Sequence, residues 1–322
     1  MTARVLVRLA ALASAALFAA AAAAQDYPTK PIRIIVGYTT GGGNDLIARL
    51  IAPKMSEGLG QPIIIENRPG AQAIIAAELV AKAPPDGYAL LMGPTGPMAM
   101  NPATYSKLPY SPTRDFAPVS MIGQFPLFLC VSASLPVRSV NELVEYAKAR
   151  PNNVNYASSA AAFQLATELF KQRTGTNFAQ IPYKGSGDSA NAVISGQVTM
   201  TIADPPPITG ALKGGTLRAL AITAPQRHPA YPDVPTMAEA GIPDMEVALW
   251  MALFVPTGTP APVVKRLNEE VARVVRLPDV RERLIGLGVD PVGGTPEELA
   301  RVLARDLEKW TAVAKAANIR SD

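Results

Sequence analysis

The stretch Val36 to Leu50, VGYTTGGGNDLIARL, runs a β-branched segment into three glycines and then into an apolar helical pattern. A loop between a strand and a helix leaves the first amides of the helix without internal partners, and the helix macrodipole adds partial positive charge there. Glycines remove the side chains that would keep an anion away from those amides. Asn44 can cap the helix, which leaves the amides of Gly41, Gly42 and Gly43 for a guest. A nucleotide phosphate is disfavoured. The P-loop needs Lys-Ser/Thr after its glycines, where Asn44-Asp45 stands, and the dinucleotide pattern needs glycine at 46, which is Leu46. Asp45, a negative charge in the first turn, argues further against a multiply charged guest, so a carboxylate fits better. A tight turn with nothing bound is the competing reading.

Two other strand-to-helix loops have the same character. Met92-Gly93-Pro94-Thr95-Gly96-Pro97 offers small residues, the Thr95 hydroxyl and free amides around Gly96. Ser158-Ser159-Ala160-Ala161-Ala162 offers two hydroxyls and uncapped amides ahead of a further helix. Each alone is equally an ordinary helix start; together they outline a cleft with anion-friendly loops on both walls.

Other chemistries lack their residues. The single Cys130 lies in the apolar run PLFLCV and reads as a buried, inert thiol, and the single His228 stands beside Pro229 and reads as an exposed loop residue. No His/Cys cluster has metal-ligand spacing and no G-x-S-x-G elbow occurs, because Lys184 stands two residues before Ser186. An enzyme would have to work with carboxylates such as Asp45 and Asp204, and no pairing of acid and base is visible. No cofactor and no metal is expected. The formal charge of +4 is spread without a basic cluster, which excludes a nucleic-acid footprint.

The elements that must position these loops alternate strand-like and helix-like segments, as in α/β layers with largely parallel strands. Ile32–Tyr38, Pro62–Glu66 and Tyr88–Met92 read as strands. The intervening helices begin near Leu46, where Pro53 is expected to kink or shorten the helix, and at Ile74–Ala83. A second series starts near Phe125, with a capping box at Ser139 and Glu142. After the Pro-rich stretch 225–243 come a strand at Leu249–Val255 and three helices, the last expected to pack back on the first unit. The organisation read from this is a lobe formed by 25–124 and 250–322 and a second lobe formed by 125–249. Ahead of them, Arg4, Arg8 and the alanine-rich run to Ala24 read as a secretion signal, 1–24, cleaved in the mature protein.

The runs GGGNDLIARLIAPKMSEGLGQPIIIENRPGA, AKAPPDGYALLMG, PYKGSGDSANAVISGQV and GTLRALAITAPQRHPAYPDVPTMAEAG, in this order, resemble the Bug-type periplasmic solute-binding receptors of tripartite tricarboxylate transporters. The resemblance covers essentially the whole mature chain. It implies a two-lobed α/β fold of the type II-like, Venus-flytrap kind, with a carboxylate held in the cleft by backbone amides and ordered water. By position, Tyr38 stands where the family often has an aromatic residue, and Thr39 and Thr40 where it often has prolines. Gly41, Gly42 and Asp45 match the glycine pair and acid of the first loop, Thr95 and Gly96 match the third-strand loop, and Asp204 matches an acid after a second-lobe strand. The chain departs from the pattern at Ser158 to Ala162, which is glycine-free and short, at Gln164, where histidine is common, and at Gln72-Ala73, which replace glycines. Asp204 reads equally as a cleft residue and as a helix cap.

The expected function is therefore capture of a small carboxylate outside the cytoplasm by a monomeric receptor. Its partners would be the membrane permease subunits of such a transporter, or alternatively a sensor protein. An enzyme and a purely structural scaffold are the rival classes.

Overall fold

The protein is described from a computed structural model covering residues 27–316 and 319–320; the expected secretion signal, 1–24, lies outside the described residues. The chain opens with β1 (Ile32–Val36), α1 (Gly43–Leu59), β2 (Ile63–Asn67), α2 (Ile74–Ala81) and β3 (Ala89–Pro94), a βαβαβ unit. A π-turn at Gly96–Met100 and the one-turn α3 (Asn101–Thr104) lead into the long β4 (Phe116–Pro126) and then β5 (Phe128–Ser132). Next come α4 (Val140–Lys148), β6 (Asn155–Ser158), α5 (Ala161–Thr174), β7 (Ala179–Pro182), α6 (Ser186–Ile194), β8 (Met200–Ala203), α7 (Pro205–Lys213) and β9 (Leu217–Ile222). The chain returns through β10 (Ala248–Pro256) and closes with α8 (Ala261–Arg276), α9 (Pro278–Gly286), β11 (Asp290–Gly293) and α10 (Pro296–Ala316).

Two sheets define two lobes. The first has strand order β11-β4-β10-β3-β1-β2 and the second β7-β6-β8-β5-β9. The strands are less uniformly parallel than the alternation of helix and strand suggests. β3, β1 and β2 are parallel, as are β8, β6 and β7, but β10, β4 and β11 add antiparallel to the first sheet and β5 and β9 to the second. The chain leaves the first lobe along β4 and returns along β10, and a strand that departs and a strand that comes back must run oppositely. They pair from Ala248 opposite Pro126 to Pro256 opposite Phe116. Beyond that ribbon the buried Thr223 ties both crossings together. Its hydroxyl accepts from the Leu127 amide at 2.8 Å and donates to the Val247 carbonyl at 2.6 Å.

Local signals account for most boundaries. Ser139 caps α4 by accepting from the Glu142 amide, and Thr295 and Glu298 form the same exchange ahead of α10. Gly60 (φ 70°) ends α1 in the left-handed conformation that glycine adopts without a Cβ penalty. Pro53 does not shorten α1, since the helix continues to Leu59. The proline is exposed while Ile51, Ala52 and Met55 are buried, so its missing amide falls on the hydrated side and the apolar face is unbroken. α10 packs on α3, β4 and the π-turn, back across the first lobe.

His228 is buried rather than exposed, at 5 %. The Pro-rich segment folds inward, with Tyr231 stacked edge-on to Phe128 at 4.9 Å and His228 5.9 Å from Tyr231. Burial holds its pKa below the usual histidine value, against the pull of Asp290, whose carboxylate lies 3.7 Å from Nε2. Cys130 is buried and unpaired, with its thiol pKa pushed up by burial.

One turn departs from ordinary backbone. Ala71, Gln72 and Ala73 have φ of 46°, 52° and 68°, three successive non-glycine residues in the left-handed region. Each such residue costs about 1–2 kcal/mol. Ala71 is exposed, so Ala71→Gly should relieve the backbone without opening a cavity. Against the extra unfolded-state freedom of glycine, the net gain should be about 0.5–1 kcal/mol. A higher urea midpoint with an unchanged slope is the expected result.

Candidate functional site

The glycine loop is held by one carboxylate. Asp45, 1 % exposed, accepts from the Gly41 amide at 2.9 Å, from Arg49 Nε at 2.9 and 3.0 Å and from Asn67 Nδ2 at 2.9 Å. Asn67 Nδ2 also reaches the Tyr38 carbonyl, and Asn67 Oδ1 accepts from Arg49 Nη2 and from the Thr40 hydroxyl. Burial alone would raise the Asp45 pKa, but Arg49, the Gly41 amide and Asn67 together hold it below the ordinary carboxylate range. The Gly42 amide is bonded to the Thr39 carbonyl at 3.2 Å. Two of the three amides expected to be free are thus used within the loop. Asn44 does not cap the helix either. Gly42 is the N-cap, and Asn44 lies inside the first turn with its buried Oδ1 unpaired.

The second lobe supplies what faces this loop, through α6 and α7 rather than through Ser158–Ala162. Thr39 Oγ1 donates to Asp188 Oδ2 at 3.3 Å, and a Cβ at Gly185 would overlap the Thr39 hydroxyl. A Cβ at Gly187 would stand 3.4 Å from the Gly41 carbonyl oxygen, and one at Gly42 3.9 Å from the Ser186 amide nitrogen. At Gly43 a Cβ would overlap Asp204 Oδ2. Asp204 occupies the N-cap position of α7 without a side-chain cap bond, and its carboxylate rests over the first turn of α1 in the other lobe. Its Oδ1 is buried and unpaired. Burial pushes its pKa up to about 6, opposed by the Ser186 hydroxyl and its own amide. The carboxylate that lies over the first turn of α1 is therefore one of the protein's own.

The third-strand loop is buried in the first lobe. Thr95 is fully buried; its hydroxyl accepts from the Trp250 amide at 2.8 Å and donates to the Trp250 carbonyl at 3.2 Å, so it bridges to β10. A Cβ at Gly96 would lie 3.3 Å from the Tyr38 hydroxyl, and Tyr38 itself is 4 % exposed, its pKa raised by burial.

A cavity of about 270 Å³ lies between the lobes beside these contacts. Gly37, the turn 70–73 and Tyr105 border it from the first lobe; Ser158, Ser159, Ala160, Gln180 and residues 182–184 border it from the second. Of the residues expected to bind, only Ser158, Ser159 and Ala160 are on its wall; Ala161 is buried in the first turn of α5. The Ser158 hydroxyl is turned to the Ala160 carbonyl at 3.2 Å, whereas Ser159 Oγ is buried with no partner. So is Gln72 Oε1. Each buried unpaired polar atom costs about 1–3 kcal/mol, which makes such atoms markers of an absent partner. Lys184 is the one charged side chain on the wall; it is exposed and has no carboxylate within ion-pair distance among the described residues. Residues 70–73 and 180–184 were not anticipated. The run PYKGSG, a strand followed by glycines and a helix, carries the same pattern as the first loop and could have pointed to the second group. A second cavity, about 450 Å³ and lined by Trp250, Trp310 and α10, lies within the first lobe away from the cleft.

Residues 47–319 match the family model described as tripartite tricarboxylate transporter family receptor. The chain belongs to this receptor family. It is 36 % identical over 300 residues to protein BugT of Bordetella pertussis, covering 92 % of each chain. Among solved structures it is similar to R. palustris Rpa4515 with adipate, at 40 % identity and a TM-score of 0.89, covering 92 % of this chain and 99 % of that one. It is also similar to MatC (Rpa3494) from Rhodopseudomonas palustris with bound malate, at 34 % identity and a TM-score of 0.86, covering 89 % and 99 %. The receptor family is one of binding proteins rather than enzymes, and the two-lobed fold is that of its structural neighbours.

In this receptor Gly43→Ala should force the lobes apart at Asp204 and cost about 1–3 kcal/mol, as overpacking does. Asp204→Ala in the same chain should recover most of the loss, and a double-mutant cycle in urea measures the coupling.

Asp204 also sets a pH dependence. An acid whose folded pKa lies near 6 instead of 3.8 carries a cost that is full above pH 6 and disappears as pH falls toward 4. Asp204→Asn should therefore exceed the native protein by up to about 3 kcal/mol at pH 7.5 and lose that advantage by pH 4. Parallel urea titrations across this range test it; a pH-independent difference would be the contrary result.

Proposed function

We propose that this receptor captures a small organic acid in the periplasm, in the cavity between its lobes, and presents it to the membrane permease of a tripartite tricarboxylate-type transporter. The observation that carries the reading is the composition of the cavity wall: one unpaired lysine, an unpaired serine hydroxyl, and no acidic side chain. A carboxylate finds charge-assisted donors there, and a cation finds none. The bound adipate of Rpa4515 and malate of MatC, both relatives of the same family, support the same class of ligand. In this reading the carboxylate lies beside Ser159, Ala160 and Lys184, near the first-turn amides of α5. Residues Tyr38 to Asp45, with Asp204, form the contact that closes the lobes. The lobes divide at 124/125 and 249/250, and the segment 1–24 directs export and is removed.

The test is a thermal-shift screen of the mature protein against mono-, di- and tricarboxylates, amines and neutral sugars. A carboxylate at a hundred times its Kd should add about 2.7 kcal/mol of stability. Lys184→Ala should reduce that shift. A panel in which no acid raises Tm, or in which amines act more strongly, would overturn the reading.

A further inference from the structure

The left-handed turn places Gln72 on the wall of the cavity. Asn101 Nδ2 donates to the Gln72 carbonyl at 3.0 Å, and the Ala73 amide bonds to the Gly70 carbonyl at 3.0 Å. The Ala73 side chain seats against Gly37, where a Cβ would overlap it. The backbone at Gln72 is therefore held from both sides. Its Oε1 is buried without a hydrogen-bond partner, and so is Ser159 Oγ of the other lobe. Both residues border the same interlobe cavity.

An amide oxygen accepts hydrogen bonds and cannot donate them, so its partner must bring a proton. A deprotonated carboxylate brings none. A ligand that satisfies Gln72 Oε1 must therefore carry a donor besides its acid group. An ammonium would meet Lys184 and no carboxylate, because no Asp or Glu borders the cavity. A hydroxyl meets neither objection. The volume, about 270 Å³, lies just below the usual range for small-molecule pockets, which suits a short acid.

We propose that Gln72 is the specificity-determining residue of the cleft, and that it selects a short hydroxycarboxylic acid whose hydroxyl donates to Gln72 Oε1 while its carboxylate faces Ser159 and Lys184. This rests on the reading of the cavity as a carboxylate site.

Calorimetry on matched pairs differing by one hydroxyl tests it: succinate and malate, glutarate and 2-hydroxyglutarate, propionate and lactate. In the native mature protein the hydroxy acid of at least one pair should bind about tenfold more tightly than its parent, the ratio expected for one satisfied buried acceptor. In Gln72→Gly, which suits the left-handed backbone, and in Gln72→Met, which keeps the bulk without the oxygen, that ratio should fall to within about twofold. A ratio unchanged in both variants overturns the assignment of Gln72. Parent acids preferred by the native protein overturn it too, since the amide would then be presenting its NH₂. Native protein that binds none of the six acids would instead refute the carboxylate reading of the cavity, and this inference with it.

Discussion

The two lobes meet where a side chain is missing. Asp204 can lie over the first turn of α1 only because residue 43 has no Cβ, and Thr39 can meet α6 only because residue 185 has none. Those two approaches fix the separation of the walls and so the width of the cavity beside them. The glycine loop has to be rigid for this, and glycine supplies no rigidity. Asp45 supplies it by gathering the Gly41 amide, Arg49 and Asn67 around one buried carboxylate. The order of dependence runs from Asp45 to the loop, from the loop to the interlobe contact, and from that contact to the cavity.

The layering of the fold was legible in the sequence because its punctuation is strong. Asn67-Arg68-Pro69-Gly70 and Pro84-Pro85-Asp86-Gly87 bound β2 and α2, and Ser139 with Glu142 starts α4 where the capping pattern places it. Strand direction was not legible, since a strand that returns from a second lobe has the same apolar pattern whichever way it runs. Pro53 misled because the rule against helical proline ignores which face the proline occupies. His228 misled because a Pro-rich segment reads as surface until Phe128 and Tyr231 are known to pack together.

The site was half legible. Glycines between a strand and a helix do mark a place where backbone comes close to something, here to Asp204 and α6 of the other lobe. The partner could not be read, because Asp45 stands four residues beyond Gly41 and spends that amide internally, and because the visiting carboxylate belongs to residue 204 of the other lobe. Sequence spacing carries local pairings; it does not carry contacts between lobes. The unusual feature that could be read was Gln72-Ala73 in a place of glycines, a departure that becomes a strained turn with an unpaired oxygen.

The placement of Asp204 also bears on where a ligand's acid group can be held. Had that group been seated at the mouth of α1, it would have lain against a buried carboxylate already disfavoured by desolvation, and each would have raised the other's pKa. The arrangement separates the two. Asp204 lies over the first turn of α1, and the cavity with Ser159 and Lys184 lies by the start of α5, whose N-cap Ala160 has only a methyl group and cannot accept from its amides. On the proposed reading, what a ligand adds resides in the unpaired oxygens of Ser159 and Gln72 and in the pairing of Lys184.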